Sequence, residues 1–217
     1  MIGTSIALEE LERDALTELV NIGVSRAAVS LRTMVGEQVF LSVPSLQVVD
    51  RVLAATLIRE QECAPLIAVR QDFEGAFSGR ALLIFPEANS LELVRAVTSD
   101  ELSSKEAREI EEEALLETGN IVLNGCLGTI ANMLRKPLTI SLPQLLRGDS
   151  QQLFDTSTPL GDDGVVLFLY INFAISDRDI RGYIAMIMDL PSLQTLKALI
   201  AEFIEHVIGP EDVAHEG

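Results

Sequence analysis

The chain repeats itself at an offset of 99 residues, and this constrains its fold more than any other feature. The first copy reads Asp14-Ala-Leu-Thr-Glu18-Leu-Val-Asn21-Ile22, followed later by Leu41-Ser42-Val43-Pro44. The second reads Glu113-Ala-Leu-Leu-Glu117-Thr-Gly-Asn120-Ile121, followed by Ile140-Ser141-Leu142-Pro143. In each copy 22 residues lie between the Asn and the Pro. Two copies are too few for a solenoid, which needs about three to bury a continuous core. The expectation is one domain over residues 1–217, built from two repeats at about 8–100 and 104–208, with 209–217 as a flexible tail. Gly79–Pro86 also rhymes with Gly182–Met188, and Ser90-Leu91 with Ser192-Leu193. There the offset drifts to 102 or 103, which implies a short insertion between them.

Periodicity supplies the elements. Leu8, Leu11, Ala15, Leu19 and Ile22 fall at helical spacing and predict a helix over residues 8–34. Residues 104–135 form its counterpart, with Ser103 and Glu106 as a capping box and Pro137 as its stop. Strands are expected at Val39–Val43, Leu138–Leu142, Gly75–Phe85, Val165–Ile175 and Gly182–Met188. Shorter helices are expected at Ala88–Val97 and Ser192–Val207, and a polar loop at Arg147–Gly164. The predicted class is mixed α/β (α+β): a pseudo-two-fold duplicated domain with two long helices packed on an antiparallel β-sheet.

Charge narrows the partners. With 16 Lys and Arg against 33 Asp and Glu, the formal net charge is −17, which disfavours nucleic acid or an anionic membrane surface. The opening MIGTSIALEELERD has no cationic segment before an apolar run and does not read as a signal peptide. The longest apolar run, Val165–Ile175, is too short to span a bilayer and contains Asn172. A cytoplasmic protein without membrane insertion is expected. Cys63 and Cys126 stand far apart and offer neither metal-site spacing nor a disulfide framework. Neither His206 nor His215 has a nucleophile near it in sequence, and both read as non-catalytic.

The repeated helix carries the chemistry. Asp14, Glu18, Asn21 and Ser25 are four, three and four residues apart and share one helix face. Glu113, Glu117, Asn120 and Asn124 repeat that arrangement. A polar stripe on a single helix is ordinarily its solvated side. Solvation needs polarity but not the same residues twice, so the competing explanation is common ancestry without retained function. An Asn amide both donates and accepts, and can hold a water in line for attack. A Glu one turn away can take a charge-assisted bond from a Lys or Arg. The pair suits insertion into another molecule's reactive centre, as a Gln orients water in GTP hydrolysis.

Gly23 and Gly119 flank these residues, and a helical Gly costs about 1 kcal/mol relative to Ala. Either a partner's backbone or the packing of the two repeated helices would explain them, and Gly125 and Gly128 favour packing. Pro44 and Pro143 read as structural residues closing the strands.

The pattern Asp/Ser-x3-Glu-x2-Asn-x22-Pro resembles the signature of the CheC-type chemotaxis phosphatases, a group that includes CheC, CheX and FliY. Asp14, Glu18, Asn21 and Pro44 match it in full, whereas the second copy has Glu113 in place of Asp or Ser before Glu117, Asn120 and Pro143. The resemblance implies a hydrolase that removes the aspartyl phosphate of a CheY-type response regulator. By that resemblance Asn21 and Asn120 orient the attacking water, while Glu18 and Glu117 engage a Lys of the partner. It further implies that Mg²⁺ sits on the response regulator and that this chain carries no cofactor or metal site of its own. Two complete motifs resemble a two-site CheC more than CheX, and both sites are expected to work. No switch-type segment is evident beyond the repeats, which argues against a full FliY. CheD is a further possible partner. The alternative is a non-enzymatic module that binds a response regulator or CheD, or a flagellar-switch component retaining the fold.

Overall fold

The computed structural model describes residues 8–36, 38–62, 65–98, 105, 110–154, 164–175 and 178–208. Helix α1 spans Glu10–Val35, strand β1 Val39–Ser42, β2 Leu46–Asp50 and α2 Arg51–Gln61. Strands β3 (Leu66–Gly75) and β4 (Gly79–Pro86) lead into α3 (Glu87–Thr98). The same order then recurs: α4 (Glu111–Met133), β5 (Leu138–Ile140), β6 (Gln144–Gly148), α5 (Ser150–Phe154), β7 (Val165–Ile175), β8 (Arg178–Met188) and α6 (Leu190–Ile208).

The eight strands form one sheet in the order β1-β7-β8-β4-β3-β5, with every pair antiparallel. β2 continues the edge of β7 beyond β1, and β6 continues the edge of β3 beyond β5. The edge strands cross over: β1 and β2 pair with β7 from the other end of the chain, and β5 and β6 return to β3. At the centre β4 pairs with β8 through Leu82–Ala185, Leu83–Ile184 and Ile84–Tyr183. Val39 and Leu138 pair with Ile175 and Gly75, which matches β3 to β7 at an offset of 100. Val69 and Leu169 then pair with Leu83 and Ile184, so Leu83 matches Ile184 at an offset of 101, not the 102 or 103 of the sequence rhyme, and Gly79 and Gly182 do not occupy matching places.

Helices cover both faces. Leu83, Ile184 and Met186 point into one core with Leu16, Leu19, Val24, Leu123 and Leu127 of α1 and α4. Leu82, Ile84, Tyr183 and Ala185 point the other way, toward Ala54 and Ile58 of α2 and Leu153 and Phe154 of α5. Strands buried on two faces cannot alternate apolar with polar, and this explains the unbroken runs Ala81–Phe85 and Tyr183–Met188. The two long helices lie on the sheet as expected. The second helical layer, α2 and α5, adds to that expectation, as do β2, β3 and β6.

The helix ends follow from local chemistry. Glu9 caps α1 reciprocally with Glu12, whose carboxylate accepts from the Glu9 N–H at 2.8 Å. Gly36 closes α1 in the left-handed region at φ 77°, its N–H donating to the Arg32 carbonyl at 2.8 Å. α4 begins with Glu111, Glu112 and Glu113, which suit the positive end of the helix dipole. It ends at Met133, before Pro137, and Arg135 takes the left-handed position at φ 55°. The proposed Ser103–Glu106 capping box, Cys63 and the 209–217 tail lie outside the described residues.

Candidate functional site

α1 and α4 pack against each other, and glycines set how near they come. A Cβ on Gly23 would lie 2.7 Å from the Gly125 carbonyl and 2.8 Å from the Cys126 Cα. One on Gly125 would lie 2.8 Å from the Gly23 carbonyl. A Cβ on Gly119 would run into Val69 of β3. Gly23, Gly119 and Gly125 therefore serve packing, not a partner's backbone, whereas Gly128 faces open space.

This packing leaves the outer faces of both helices free. Asp14, Glu18 and Ser25 are exposed on α1, with Asn21 half-buried between Glu18 and Ser25. Glu113 and Glu117 are exposed on α4, with Asn120 and Asn124 half-buried. Each Glu thus sits in water one turn from an amide held at the protein surface.

The two amides are held differently. Asn21 Nδ2 donates to the Val43 carbonyl at 3.0 Å, and the Val43 N–H donates to Asn21 Oδ1 at 2.9 Å. Val43 is the residue before Pro44, where the chain is sterically biased to an extended backbone. The side chain of Asn21 pairs with Val43 as a neighbouring strand would. In the first copy this gives the spacing between Asn21 and Pro44 a structural cause. Because backbone groups are the partners, the orientation of the amide follows from them. One N–H and one lone pair of Asn21 remain for a guest.

Asn120 makes no such pair with Leu142. Its Oδ1 accepts from Gln71 Nε2 at 3.1 Å and from Asn124 Nδ2 at 2.7 Å. Gln71 also donates to the Ser141 carbonyl at 2.9 Å, and Ser141 exchanges bonds with the Asp72 backbone at 2.8 and 2.9 Å. β3 thus inserts a side chain where the first copy uses the backbone of Val43. Val43 is 2% exposed, whereas Leu142 stands 85% exposed beside the second site.

Gln71 is the residue that sequence reasoning missed. It is 1% exposed and falls between Val69 and Phe73 on the inward face of β3. A lone Gln at an inward position of an otherwise apolar alternation is the signal that points to it. Asp72 beside it turns outward to Arg70 at 2.6 Å and Arg80 at 2.9 Å. Burial raises its pKa, but the two guanidinium groups outweigh this and hold the carboxyl below its ordinary value.

Cys126 is buried in the α1–α4 contact, and burial pushes its thiol up to about 12, so it is not a nucleophile in the folded chain. His206 is exposed on α6. Among the described residues no group of three or more His, Cys, Asp or Glu could hold a metal ion. Also among them, no helix is long and apolar enough to cross a membrane.

No protein-family model matches the chain. It is 24% identical over 215 residues to the flagellar motor switch phosphatase FliY of Bacillus subtilis, covering 94% of this chain and 52% of FliY. The chain therefore spans about half the length of that relative. It is 21% identical over 204 residues to CheC1 of Halobacterium salinarum, a proposed CheY-P phosphatase, covering 92% of this chain and 98% of CheC1. Among solved structures, FliY of Thermotoga maritima gives a TM-score of 0.68 at 16% identity, covering 90% of this chain and 98% of that one. The FliM middle domain from H. pylori gives 0.59 at 7% identity, covering 88% and 99%. At these identities the structural likeness shows the fold alone.

Proposed function

We propose that this chain, which belongs to the CheC/CheX/FliY family, hydrolyses the aspartyl phosphate of a CheY-type response regulator. The names of the FliY and CheC1 relatives support the class of reaction. One observation carries the reading to residues: Asn21 is fixed by Val43 yet keeps a free donor and a free acceptor.

In this reading the exposed face of α1 is inserted beside the phosphorylated aspartate. The attacking water must turn a lone pair toward phosphorus, so its hydrogens point away. The free lone pair of Asn21 Oδ1 accepts one of those hydrogens, and the free Nδ2–H donates to an oxygen near the reacting centre. Because Asn21 is already held, little ordering remains to be done when the partner arrives. Glu18, exposed one turn earlier, pairs with a Lys of the response regulator and sets the docking of the helix. Glu117 and Asn120 form the matching pair on α4 and offer the partner a second docking face, with Asp14, Glu113, Pro44 and Pro143 supporting the two motifs. Mg²⁺ and the acceptor aspartate belong to the partner, which is how a strongly acidic chain can serve a phosphate centre. CheD binding is compatible with this role, and the chain works among soluble cytoplasmic signalling proteins.

The test is decay of acyl-phosphate-charged CheY in Mg²⁺, with and without the protein. Acceleration that disappears in the Asn21→Ala/Asn120→Ala double variant, with binding largely kept, supports the reading. Binding without acceleration by the wild type would overturn it in favour of a non-enzymatic module.

A further inference from the structure

The two candidate sites present different chemistry to a water. At Asn21 the carbonyl oxygen of the side chain accepts one bond, from the Val43 N–H. At Asn120 it accepts two, from Gln71 and from Asn124, and an amide oxygen has two lone pairs. The polarity of that network is fixed from the backbone. The Ser141 carbonyl can only accept, so the Gln71 atom facing it is Nε2. Nε2 also faces Asn120, so the atom it meets there is Oδ1, and Asn124 in turn presents Nδ2. Asn120 is left with N–H groups and no lone pair to offer.

A donor cannot orient an attacking water well. An N–H takes one of the water's two lone pairs and draws electron density from the oxygen that must attack phosphorus, whereas an acceptor binds a hydrogen and leaves both lone pairs available.

We propose that Gln71 and Asn124 hold Asn120 in a donor-only state, so that the Glu18–Asn21 site carries turnover and the Glu117–Asn120 site engages the phosphorylated partner with little hydrolysis. This rests on the phosphatase reading and ranks its two sites. The matching positions in the first copy show what is different. By sheet register, with Leu138 matching Val39 and Gly75 matching Ile175, the counterpart of Gln71 is Ile171, which has no polar atom in its side chain. The counterpart of Asn124 at the offset of 99 is Ser25, which is exposed. Gln71 and Asn124 are positioning residues acting through Asn120.

The experiment measures kcat and KM for CheY-P hydrolysis by the full chain. Asn21→Ala is expected to lose about tenfold or more in kcat, and Asn120→Ala to lose a clearly smaller share. On the Asn21→Ala background, Gln71→Ile with Asn124→Ser puts at both positions the residue types found beside Asn21, frees both lone pairs of Asn120 Oδ1, and is expected to regain kcat by about tenfold with KM little changed. Adding Asn120→Ala to that variant should remove the gain. Asn124→Ser alone frees one lone pair without touching a buried residue, and should give part of the gain if Gln71→Ile does not fold. Equal losses from the two single Ala variants, or no gain from either swap, would overturn the proposal while leaving the phosphatase reading intact. No acceleration by the wild type would overturn that reading and the proposal with it.

Discussion

Asn21 and Val43 exchange two hydrogen bonds, at 2.9 and 3.0 Å, across 22 residues of chain. The bonds tie the middle of α1 to the end of β1 and leave the outward half of the amide free. One residue thus serves both the fold and the candidate site.

That double duty predicts a stability cost for Asn21→Ala. The variant leaves the Val43 N–H and carbonyl without their partner, although Val43 itself is 2% exposed. Unmade bonds of this kind cost about 1–3 kcal/mol. Urea unfolding should show a lower midpoint for Asn21→Ala. Asn21→Asp should recover only part of it, because a carboxylate accepts from the Val43 N–H but cannot donate to the carbonyl. An unchanged midpoint in the Ala variant would mean that water replaces the amide there.

The helix crossing gives a second prediction. Gly23→Ala would gain about 1 kcal/mol in helix propensity on an isolated helix. Here the new Cβ would meet backbone atoms of Gly125 and Cys126 at 2.7 and 2.8 Å, and backbone cannot rotate away. Overpacking of this kind costs about 1–3 kcal/mol. The variant should melt below the wild type, while Gly128→Ala, which meets nothing within 4 Å, should melt at or above it. The reverse order would contradict the close approach of α1 and α4.

Arg135 offers a stabilising change. It sits 99 residues after Gly36 and, like it, takes the left-handed region just past its helix, at φ 55° against 77°, one residue beyond the cap Leu134 where Gly36 is itself the cap. A side chain costs about 1–2 kcal/mol in that region, and glycine returns part of this through a freer unfolded chain. Arg135→Gly should therefore raise stability by about 0.5–1 kcal/mol, read from the thermal midpoint. A loss would show that the guanidinium makes a contribution larger than the strain.

The sequence made some of this architecture readable and hid the rest for physical reasons. α1, α4 and α6 bury broad apolar stripes, and both bounds of β7 coincide with the run Val165–Ile175. α2 escaped because only Ala54 and Ile58 among its residues are buried, too thin a stripe to show a period. β3 escaped because Arg70, Gln71 and Asp72 interrupt its apolar run at the point where it borders the second site. The Glu and Asn residues were legible through repetition. The inequality of their surroundings was not, since it depends on which strand reaches each helix, and β3 and β7 come from opposite halves of the chain.

Asp72 joins that border to pH. Its side chain is 47% exposed and pairs with Arg70 and with Arg80, which is itself 4% exposed. Burial works against the charge, but the two Arg partners prevail and depress the pKa below its ordinary value of 3.8. A depressed carboxylate pKa means stability that is fully present above the unfolded value and lost as pH falls through the folded one. Solvent screening at a half-exposed group keeps this pH-dependent part to about 1 kcal/mol or less. Asp72→Asn should be less stable than the wild type at neutral pH, because Arg80 keeps its buried charge and loses its counter-ion. The gap between the two should narrow as pH drops below 3.8, where the wild-type carboxyl also becomes neutral. Urea midpoints at neutral pH and near about pH 3 would measure it. A gap that stays constant across that range would mean that Asp72 acts through its shape and backbone contacts and not through its charge.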